Sequence, residues 1–509
     1  MLTQEIRGKL RALNTTVIMT RSTVLSLLSA TAVAIVACAA AGADIDLPEI
    51  GDSAGGIISP AQERKIGEAV LAQARQHAAV IDDPEVQAYL QSVGSRLANN
   101  VVDHEGTFNF FLINDPNINA FAVPGGVIGM HSGLILASQS ESEVAAVLAH
   151  EITHVTQRHI ARSFEAQSKM SLPMAAAMIG AMLLGATTSP DAGQAAIAAA
   201  TAAQAQARIN FTRANEFEAD RIGIALLNDS GFDPHSMAAF FERLQTANRF
   251  TDPKHIPEIL RSHPVSTTRV AEARGRAAEY PALEYEESFT YDLAKAKIRV
   301  LVAVDERALV SDYENNLASG RYKSEAAARY GYALALMETR DFSKARVQLQ
   351  RLLLDDEEQV AYILALGKLE IAAGNFDAGI ALLAYAHELY PGYRPVVLEY
   401  TEALLMAQRP DAAREVLREY SFGRSTQPRY FKLLAEAEER TGSIVESHIA
   451  LSEYYFKLGR PILAKQQLEL ARRGNTADYY QRERIEARME EINEFIAEEG
   501  GRGKRRRRS

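Results

Sequence analysis

The amino-acid sequence predicts a mainly α-helical chain with a small β-sheet, in which an α+β domain precedes an all-α superhelix of repeats. Three observations predict this fold class. Apolar residues recur at helical spacing through most of the 509 residues. Three short β-type segments lie together before residue 131, and several positions recur every 34 residues after residue 333. A chain of this length is expected to form two folded domains.

The composition excludes several classes of function. The 55 Lys and Arg residues are outnumbered by 65 Asp and Glu residues, and the net charge of -10 gives no basis for nucleic-acid binding. Cys38 is the one cysteine of the sequence, so neither an intramolecular disulfide nor a cysteine-based metal site can form. Any metal site must therefore use His, Asp or Glu.

Residues 1–43 are predicted to be a signal peptide. Basic residues precede an uncharged segment, 22–43, whose apolar centre is shorter than the roughly 20 residues that a spanning helix needs. Small residues of the A-x-A type end this segment, so we expect cleavage after Ala43 and export of the mature chain. Two alternatives stay open. Cys38 lies in a lipoprotein-like Ile-Val-Ala-Cys box and would anchor the chain by a lipid, and Met19 would be a second start.

The next segments predict an arm, two helices and three strands. Residues 44–60 are rich in Gly, Pro, Ser and Asp, which indicates an N-terminal arm. Apolar residues at helical offsets between residues 61 and 97 predict two amphipathic helices around a break at Asp82-Asp83-Pro84. The spacing of Ser140 and Glu143 predicts the capped start of a later helix. Short apolar runs between turn residues predict strands over residues 108–113, 118–123 and 127–130.

Residues 291–495 are predicted to form tetratricopeptide repeats, whose helix-turn-helix unit is 34 residues long. Small residues are expected where paired helices cross, and the stacked units offer a concave surface to partners or substrates. The period weakens after Ser443, so whether further repeat units follow beyond about residue 440 stays open. An irregular helical bundle is the alternative to the repeats. The recurring sets are Phe342, Phe376, Pro410 and Ile444; Ala345, Gly379, Ala413 and Ser447; Leu349, Leu383, Leu417 and Leu451; and Ala333, Gly367, Thr401 and Ala435.

Two further segments differ in composition from the rest of the chain. Residues 172–206 are alanine-rich and nearly uncharged, but they are too short and too interrupted for a membrane span. A packed hairpin is favoured there, and peripheral contact with the membrane is the alternative. Residues 496–509, with four consecutive arginines, are predicted to be a basic disordered tail.

The stretch His150-Glu151-Ile152-Thr153-His154 is typical of a metal-binding helix turn. At 100° per residue, the two imidazoles lie about 40° apart on one helix face, so both reach one tetrahedral zinc ion. Glu151 lies beside them and can take a proton from water. A hydrolytic zinc site needs a third protein ligand and leaves the fourth position to water. We therefore expect one zinc ion per chain and a further ligand elsewhere in the sequence.

Glu216 and Asp220 are the candidates for completing this site. They are four residues apart on a predicted helix, so Glu216 can bind zinc while Asp220 accepts the second ring N–H of a ligand histidine. A solvated acidic face is the alternative for this pair and the expectation for Glu218. His159 is nine positions from His150, about 180° round the helix, so it is not expected to bind the same metal.

The residues around these candidates resemble the M48 family of metallopeptidases. The resemblance implies an α+β zincin-type metallopeptidase domain over residues 61–290, in which the two motif histidines and Glu216 bind zinc. It also implies that Glu151 is the general base and Asp220 a supporting acid. The stretches that carry the resemblance, in the order found in that family, are residues 119–126, 149–155 and 215–221.

Together with the export signal and the repeats, the resemblance extends over residues 44–490 to periplasmic members of the family. It implies a zinc metalloendopeptidase with chaperone-like activity in outer-membrane protein quality control. Unfolded or misassembled outer-membrane proteins are the expected clients. The outer-membrane barrel-assembly machinery is the expected partner of the repeats. The alternative is a repeat-based chaperone or assembly scaffold in which proteolysis is secondary.

The same resemblance implies two further site residues. Residues 262–264, followed by Arg269, match a family segment in which a histidine occupies the fourth zinc position. His263 is therefore expected to be a regulatory fourth ligand that keeps the enzyme latent, although a histidine before proline is by itself more typical of a loop. Arg269 is expected to stabilise a developing oxyanion. The strand before the motif helix is expected to pair with an extended substrate through Asn119, Ala120 and Phe121.

Overall fold

The computed structural model describes most of the chain from Ile58 onward. The predicted signal peptide with Cys38, the arm up to residue 57 and the alanine-rich segment 172–206 lie outside the described residues. In the part of the chain that is described, no helix is long and apolar enough to cross a membrane. The described residues are 58–77, 80–101, 106–165, 213–249, 257, 259–281, 285, 288–420, 427–474 and 478–505.

The chain divides into two compact units, and the unit formed by residues 60–160 and 211–499 contains the sheet, the motif helix and the repeats. The fold is mainly helical with one small sheet, as predicted. The elements of the N-terminal domain are α1 (Pro60–His77), α2 (Pro84–Ala98), β1 (Asn109–Ile113), β2 (Ala120–Val123), β3 (Val127–His131), α3 (Ser132–Ala137), α4 (Glu141–Thr156), α5 (His159–Glu165), α6 (Arg213–Asp229), α7 (Ser236–Arg249), α8 (Ile259–Ser262) and α9 (Thr267–Ala277).

The first two helices are separated by a proline break, as predicted. Asp83 caps α2, because its Oδ1 atom accepts hydrogen bonds from two amides of the first turn, each at 3.0 Å. Pro84 occupies the first helical position, where an amide hydrogen would have no intrahelical partner. Ile81 N then donates to Leu112 O at 2.9 Å. The break therefore starts α2 and also fixes it beside β1.

The three predicted strands form one sheet in the order β1-β3-β2. Strand β1 runs parallel to β3, and β2 runs antiparallel to β3, so β2 is an edge strand of the described sheet. Gly125 and Gly126 make the turn between β2 and β3 with φ angles of 88° and 79°, which favour glycine. A Cβ atom at Gly125 would lie 2.5 Å from Glu63 O, so this turn also packs closely against α1.

Helix α4 is the central element of the N-terminal domain. It contacts α2, α6, α7, β2 and β3, and its residues from Glu143 to His154 are buried. The predicted start is confirmed, because Ser140 Oγ accepts a hydrogen bond from the Glu143 amide at 3.3 Å. Burial of α4 on all sides means that the motif residues face neighbouring elements rather than bulk solvent.

The C-terminal helices confirm the predicted repeats. The four residues of the first 34-residue set, beginning with Phe342, are each the first residue of a helix. The array continues beyond residue 440, where the sequence period weakens, because Val445, Ser447 and Ala450 keep the buried positions of α19 small or apolar. The repeat helices are α10 (Phe289–Leu301), α11 (Glu306–Ser319), α12 (Glu325–Glu338), α13 (Phe342–Asp355), α14 (Val360–Ala372), α15 (Phe376–Leu389), α16 (Arg394–Met406), α17 (Pro410–Tyr420), α18 (Pro428–Arg440), α19 (Ile444–Lys457), α20 (Pro461–Arg473) and α21 (Tyr479–Arg505).

Small residues set the spacing of the repeat helices. A Cβ atom added at Gly367 in α14 would lie 2.8 Å from Leu383 Cγ in α15. One added at Gly379 in α15 would lie 2.7 Å from Ile371 Cδ1 and 2.9 Å from Gly367 O in α14. These separations are well below the optimal contact distance of carbon atoms. Helices α14 and α15 therefore approach as they do because both crossing residues lack a side chain.

The C-terminal helix is longer than predicted. Helix α21 extends to Arg505, whereas the composition predicts a disordered tail from residue 496. Extending an existing helix needs no new nucleus, so each glycine in its last turns lowers helix stability by about 1 kcal/mol without ending the helix. The four residues after Arg505 lie outside the described part of the chain.

The N-terminal domain meets the repeat array at the start of α2. Lys297 in α10 forms ion pairs with Glu85 and with Asp83, where Nζ lies 3.1 Å from Oδ2. Desolvation lowers the pKa of Lys297, but the charges of Glu85 and Asp83 outweigh it and raise this pKa well above its usual value. Tyr330 OH donates to Glu85 Oε2 at 3.4 Å. Part of the array is thus covered by the chain's own N-terminal domain.

Candidate metal centre

Helix α4 places His150 and His154 one turn apart with their rings directed at a common point. Their Nε2 atoms are 3.0 Å apart, and both side chains are buried. Glu151 is buried as well, and its Oε1 atom has no hydrogen-bond partner in the described part of the chain. Because an unpaired buried carboxylate oxygen is costly, this atom indicates a position for a further polar group.

Helix α6 lies against α4 and contributes two carboxylates. Glu216 oxygens lie 3.6 Å from Nε2 of His150 and 3.6 Å from Nε2 of His154. One turn later, Asp220 Oδ1 lies 3.0 Å from His150 Nδ1, the ring nitrogen directed away from the cluster. Helix α6 packs closely on α4 at Gly223, where an added Cβ atom would be in ordinary van der Waals contact with His150 N at 3.4 Å.

His263 enters the cluster from the segment that follows the short helix α8. Its Nδ1 atom lies 3.2 Å from His150 Nε2 and 3.1 Å from Glu216 Oε1. Its Nε2 atom lies 3.5 Å from Glu151 Oε1. Two backbone hydrogen bonds hold this segment, since Ile259 N donates to Ile118 O at 3.1 Å and His263 N donates to Ile259 O at 2.8 Å. The segment before proline is thus anchored beside β2.

Arg269 lies in the first turn of α9 and is buried against the two carboxylates of α6. Its Nε and Nη2 atoms donate to the two oxygens of Asp220, each at 2.7 Å. Its Nη1 atom donates to Pro264 O at 3.0 Å and lies 2.8 Å from Glu216 Oε2. Burial raises the pKa of Asp220, but hydrogen bonds from Arg269 and His150 hold it below its usual value. These contacts favour positioning of both carboxylates over the expected contact with an oxyanion.

The buried carboxylates of the cluster favour a positive charge beside them. Burial raises the pKa of Glu216, but the charges of His263 and His150 and their hydrogen bonds hold it well below its usual value. Burial lowers the pKa of His150, whereas Asp220 and Glu216 raise it to about 9. The pKa of His154 stays well below its usual value because of burial and the neighbouring His150 and His263.

The donor atoms of the cluster fit a divalent metal ion. His150, His154, Glu216 and His263 each offer one ligand atom, and these atoms all lie within 4.8 Å of one another. Five of the six separations between them, all except that between His154 and His263, run from 3.0 to 3.6 Å. Ligands of a tetrahedral metal at about 2.0–2.2 Å are roughly 3.3–3.6 Å apart. Lone pairs at such distances repel one another unless a cation or a proton lies between them.

Comparison with known proteins identifies the domain that carries this cluster. The profile of Peptidase family M48 matches residues 84–277, and a tetratricopeptide repeat profile matches residues 370–437. The chain is 35% identical over 476 residues to the beta-barrel assembly-enhancing protease of Escherichia coli (strain K12), covering 93% of this chain and 97% of that protein. This chain belongs to the M48 peptidase family. It is a metallopeptidase followed by tetratricopeptide repeats, as the sequence predicts.

Two other relatives extend the comparison. A putative beta-barrel assembly-enhancing protease of Vibrio cholerae serotype O1 is 36% identical over 410 residues, covering 80% of this chain and 84% of that protein. Metalloprotease LoiP of Escherichia coli (strain K12) is 25% identical over 187 residues, covering 37% of this chain and 69% of that protein. The similarity to the first relative therefore includes both the peptidase domain and the repeats.

The M48 domain places the predicted substrate residues at its edge strand. Ala120 and Phe121 begin β2, which contacts α4, and Asn119 immediately precedes it. Asn119 O accepts a hydrogen bond from His131 N at 2.9 Å. Asn119 Oδ1 is buried and has no partner among the described residues. Strand β2 is paired with β3 along one side, and the described sheet has no strand along the other.

Two residues of the M48 domain lie closer to the metal centre than the sequence predicts. Helical periodicity places His159 about 180° round the helix from His150 and Glu218 on a solvated face. As expected, His159 is not among the residues that could hold the metal, but it lies beside His154, and Glu218 is only 28% exposed because it contacts His159. Helix α4 ends at Thr156, Arg158 adopts a φ of 51°, and a new helix begins at His159. The residues of this turn include neither glycine nor proline, so the sequence carries no signal for it. His159 Nδ1 lies 2.8 Å from His154 Nδ1, and its Nε2 lies 3.0 Å from Glu218 Oε2.

Proposed function

We propose that this protein is a periplasmic zinc metalloendopeptidase that degrades misfolded or stalled outer-membrane proteins and assists their assembly. The observation that carries the proposal is the buried cluster of His150, His154, Glu216 and His263 on an M48 domain. Similarity to proteases named for beta-barrel assembly, over 93% of this chain, supports the choice of client. The repeats support a role for the barrel-assembly machinery as partner, since stacked repeats bind proteins on extended surfaces.

The donor set supports zinc as the metal, with one ion per chain. Histidine nitrogen and carboxylate oxygen at tetrahedral spacing are typical of catalytic zinc sites, which use three protein ligands and one exchangeable position. We assign the three protein ligands to His150, His154 and Glu216. Asp220 orients His150 by contacting the Nδ1 atom of that ring. Arg269 holds the carboxylates of Asp220 and Glu216 in place.

The reaction is hydrolysis of a peptide bond without a covalent intermediate. When bound, zinc polarises the scissile carbonyl and lowers the pKa of water towards about 7. Glu151 acts as the general base, because its buried Oε1 atom is free of hydrogen bonds among the described residues. It accepts a proton from the attacking water and returns it to the leaving amine nitrogen. Substrate backbone pairs with the open side of β2 next to Asn119, Ala120 and Phe121, so cleavage depends on access to an extended chain.

His263 keeps this protease latent by occupying the position that water needs. The support is its Nδ1 atom, which lies 3.2 Å from His150 Nε2 and 3.1 Å from Glu216 Oε1 in a buried position. His263→Ala is expected to raise the rate of cleavage of an unfolded polypeptide. His235→Ala is the matched control, since His235 is exposed and pairs with Asp233 away from the cluster. Equal rates for His263→Ala and the wild type would contradict the latch.

Glu151→Gln tests the proposed reaction. The amide cannot accept the water proton, so cleavage is expected to fall by roughly 10²–10⁴-fold, while bound zinc stays at the wild-type level. Cleavage of an unfolded polypeptide is measured together with zinc content by elemental analysis. Undiminished cleavage by Glu151→Gln would remove the assignment, and loss of zinc from this variant would mean that Glu151 has a structural role instead.

A second candidate function is a repeat-based chaperone in which proteolysis is secondary. Exposed apolar side chains on one face of α13 favour it, with Val347 at 60% and Leu354 at 86% exposure. Such positions bind unfolded chains more readily than charged surfaces do. If Glu151→Gln restores outer-membrane protein assembly in cells that lack the wild-type protein, the chaperone activity is primary. If it does not, the protease activity is primary.

A further inference from the structure

The two motif histidines differ in the group that contacts Nδ1, the ring nitrogen directed away from the cluster. On His150, the Nδ1 atom lies 3.0 Å from Asp220 Oδ1, and Asp220 is in turn bound by Arg269. On His154, the Nδ1 atom lies 2.8 Å from Nδ1 of His159, whose side chain is fully buried. His159 then reaches Glu218, with 3.0 Å between Nε2 and Oε2. A second imidazole thus occupies the position that a carboxylate takes on the other ligand.

Binding of a metal fixes the direction of every hydrogen bond in this chain of residues. The Nε2 atom of His154 faces the cluster, so its lone pair is used by the metal and its Nδ1 atom must carry the ring proton. His154 Nδ1–H therefore donates to His159 Nδ1. The proton of His159 is then on Nε2, where it donates to Glu218 Oε2. This arrangement gives each of the four ring nitrogens of His154 and His159 a partner.

The turn before α5 is what brings His159 back to His154. Arg158 holds a left-handed φ of 51°, which is unfavourable for a residue with a side chain. Its guanidinium is anchored on α1, since Nε lies 3.0 Å and Nη2 3.0 Å from Glu63 Oε1. An interaction between α1 and the turn therefore offsets part of the backbone strain. Without the reversal, His159 would follow α4 and lie away from the cluster.

We propose that His159, supported by Glu218, is a positioning residue for the metal ligand His154. It fixes the tautomer and the ring orientation of His154 and does not contact the metal or the substrate. The inference rests on the zinc site of the proposed function. Residues in this position change metal affinity or activity by about 10- to 100-fold when they are replaced.

Three variants of the full chain separate the acceptor atom from the bulk of the ring. His159→Ala removes the acceptor, and zinc affinity, measured by competition with a chelator, is expected to fall about 10- to 100-fold. His159→Asn keeps an oxygen near the Nδ1 position and is expected to retain most of the affinity. His159→Gln places its amide near Nε2, keeps the link to Glu218 and is expected to bind zinc as weakly as His159→Ala. In cleavage assays of His159→Ala at saturating zinc, kcat should fall and KM should stay at the wild-type value.

The control is His131→Asn, because His131 is also fully buried and lies outside the cluster. Its zinc affinity is expected to equal that of the wild type. An equal loss in His131→Asn and His159→Ala would overturn the proposal, since any buried histidine would then have the same effect. Equal affinities of the Asn and Gln variants at position 159 would overturn it as well. Circular dichroism of the zinc-free variants checks that each one is folded.

This experiment separates the inference from the function on which it rests. A wild-type chain that binds no zinc would overturn the zinc site itself. A wild-type chain that binds zinc, with His159→Ala binding it equally well, would overturn the positioning role alone. Cleavage that depends on Glu151 would then still stand.

Discussion

In the described part of the M48 domain, the largest side chain with almost no exposure is that of Arg269, at 2%, whereas α14 and α15 of the repeats cross closely at Gly367 and Gly379. The first region buries charges and balances them with partners from separate elements. The second region brings the two helices together at glycines that pack against Leu383 and Ile371, so it depends on shape. The difference indicates that mutations will act through charge in one region and through volume in the other.

The largest effect is expected at Arg269. Arg269→Met leaves Asp220 and Glu216 buried without their guanidinium partner, and breaking such a pair costs about 3–5 kcal/mol of unfolding free energy. Arg274→Met is the matched control on the same helix, because its ion pair with Glu242 is exposed and exposed pairs contribute about 0–1 kcal/mol. Urea unfolding of both zinc-loaded variants, followed by circular dichroism, measures the difference. Equal losses would mean that the buried charges of the site are not what stabilises it.

A smaller effect is expected at the helix crossing of the repeats. Gly379→Ala places a Cβ atom 2.9 Å from Gly367 O, and overpacking of this kind costs about 1–3 kcal/mol. Gly275→Ala in α9 is the opposite case, because its Cβ atom meets nothing within 4 Å and the substitution should stabilise by about 0.4–1 kcal/mol. Thermal unfolding of the two variants measures the expected loss of stability in Gly379→Ala and the expected gain in Gly275→Ala. A neutral Gly379→Ala would show that shape at this crossing matters less than its geometry indicates.

The smallest effect depends on pH and tests whether charge contributes within the repeats. Hydrogen bonds from Arg346, one of them 2.8 Å long, hold the pKa of Glu370 below its usual value. The folded-state pKa is lowered, so the pair stabilises the fold above the unfolded pKa of about 4.3 and loses this contribution as pH falls further. Arg346→Gln should therefore lower stability by about 1 kcal/mol at pH 7, and the difference from wild type should shrink in acid. Lys344→Gln removes an exposed pair with Asp341 and should show no such pH dependence. A stability difference between Arg346→Gln and wild type that stays constant with pH would contradict the account.

The sequence predicts those parts of the molecule whose cause is local. The 34-residue period follows from one helix pair packing on the next, so Phe342 and its equivalents mark helix starts correctly. The strands follow from short apolar runs bounded by Asn114-Asp115-Pro116-Asn117 and by Pro124-Gly125-Gly126. The His150 and His154 pair follows from four-residue spacing on one helix. In each case a few neighbouring residues determine the outcome.

Parts whose cause lies in distant contacts could not be predicted. The turn at Arg158 needs Glu63 on α1 to hold it, and the sequence shows no breaker there. Helical periodicity alone predicts that Glu218 is solvated. Its contact with His159 depends on the turn at Arg158. Lys297 packs against Glu85, which lies 212 positions earlier in the chain. Each of these contacts depends on how elements pack, which no local pattern encodes.

The central claim is that His150, His154 and Glu216 together hold one zinc ion. Elemental analysis of the purified full chain and of Glu216→Gln, after removal of loosely bound metal, tests it most directly. The account predicts one zinc ion per chain in the wild type and little or none in the variant, because the amide replaces a charged oxygen ligand. A wild-type chain without zinc, or a variant that keeps a full equivalent, would contradict the account.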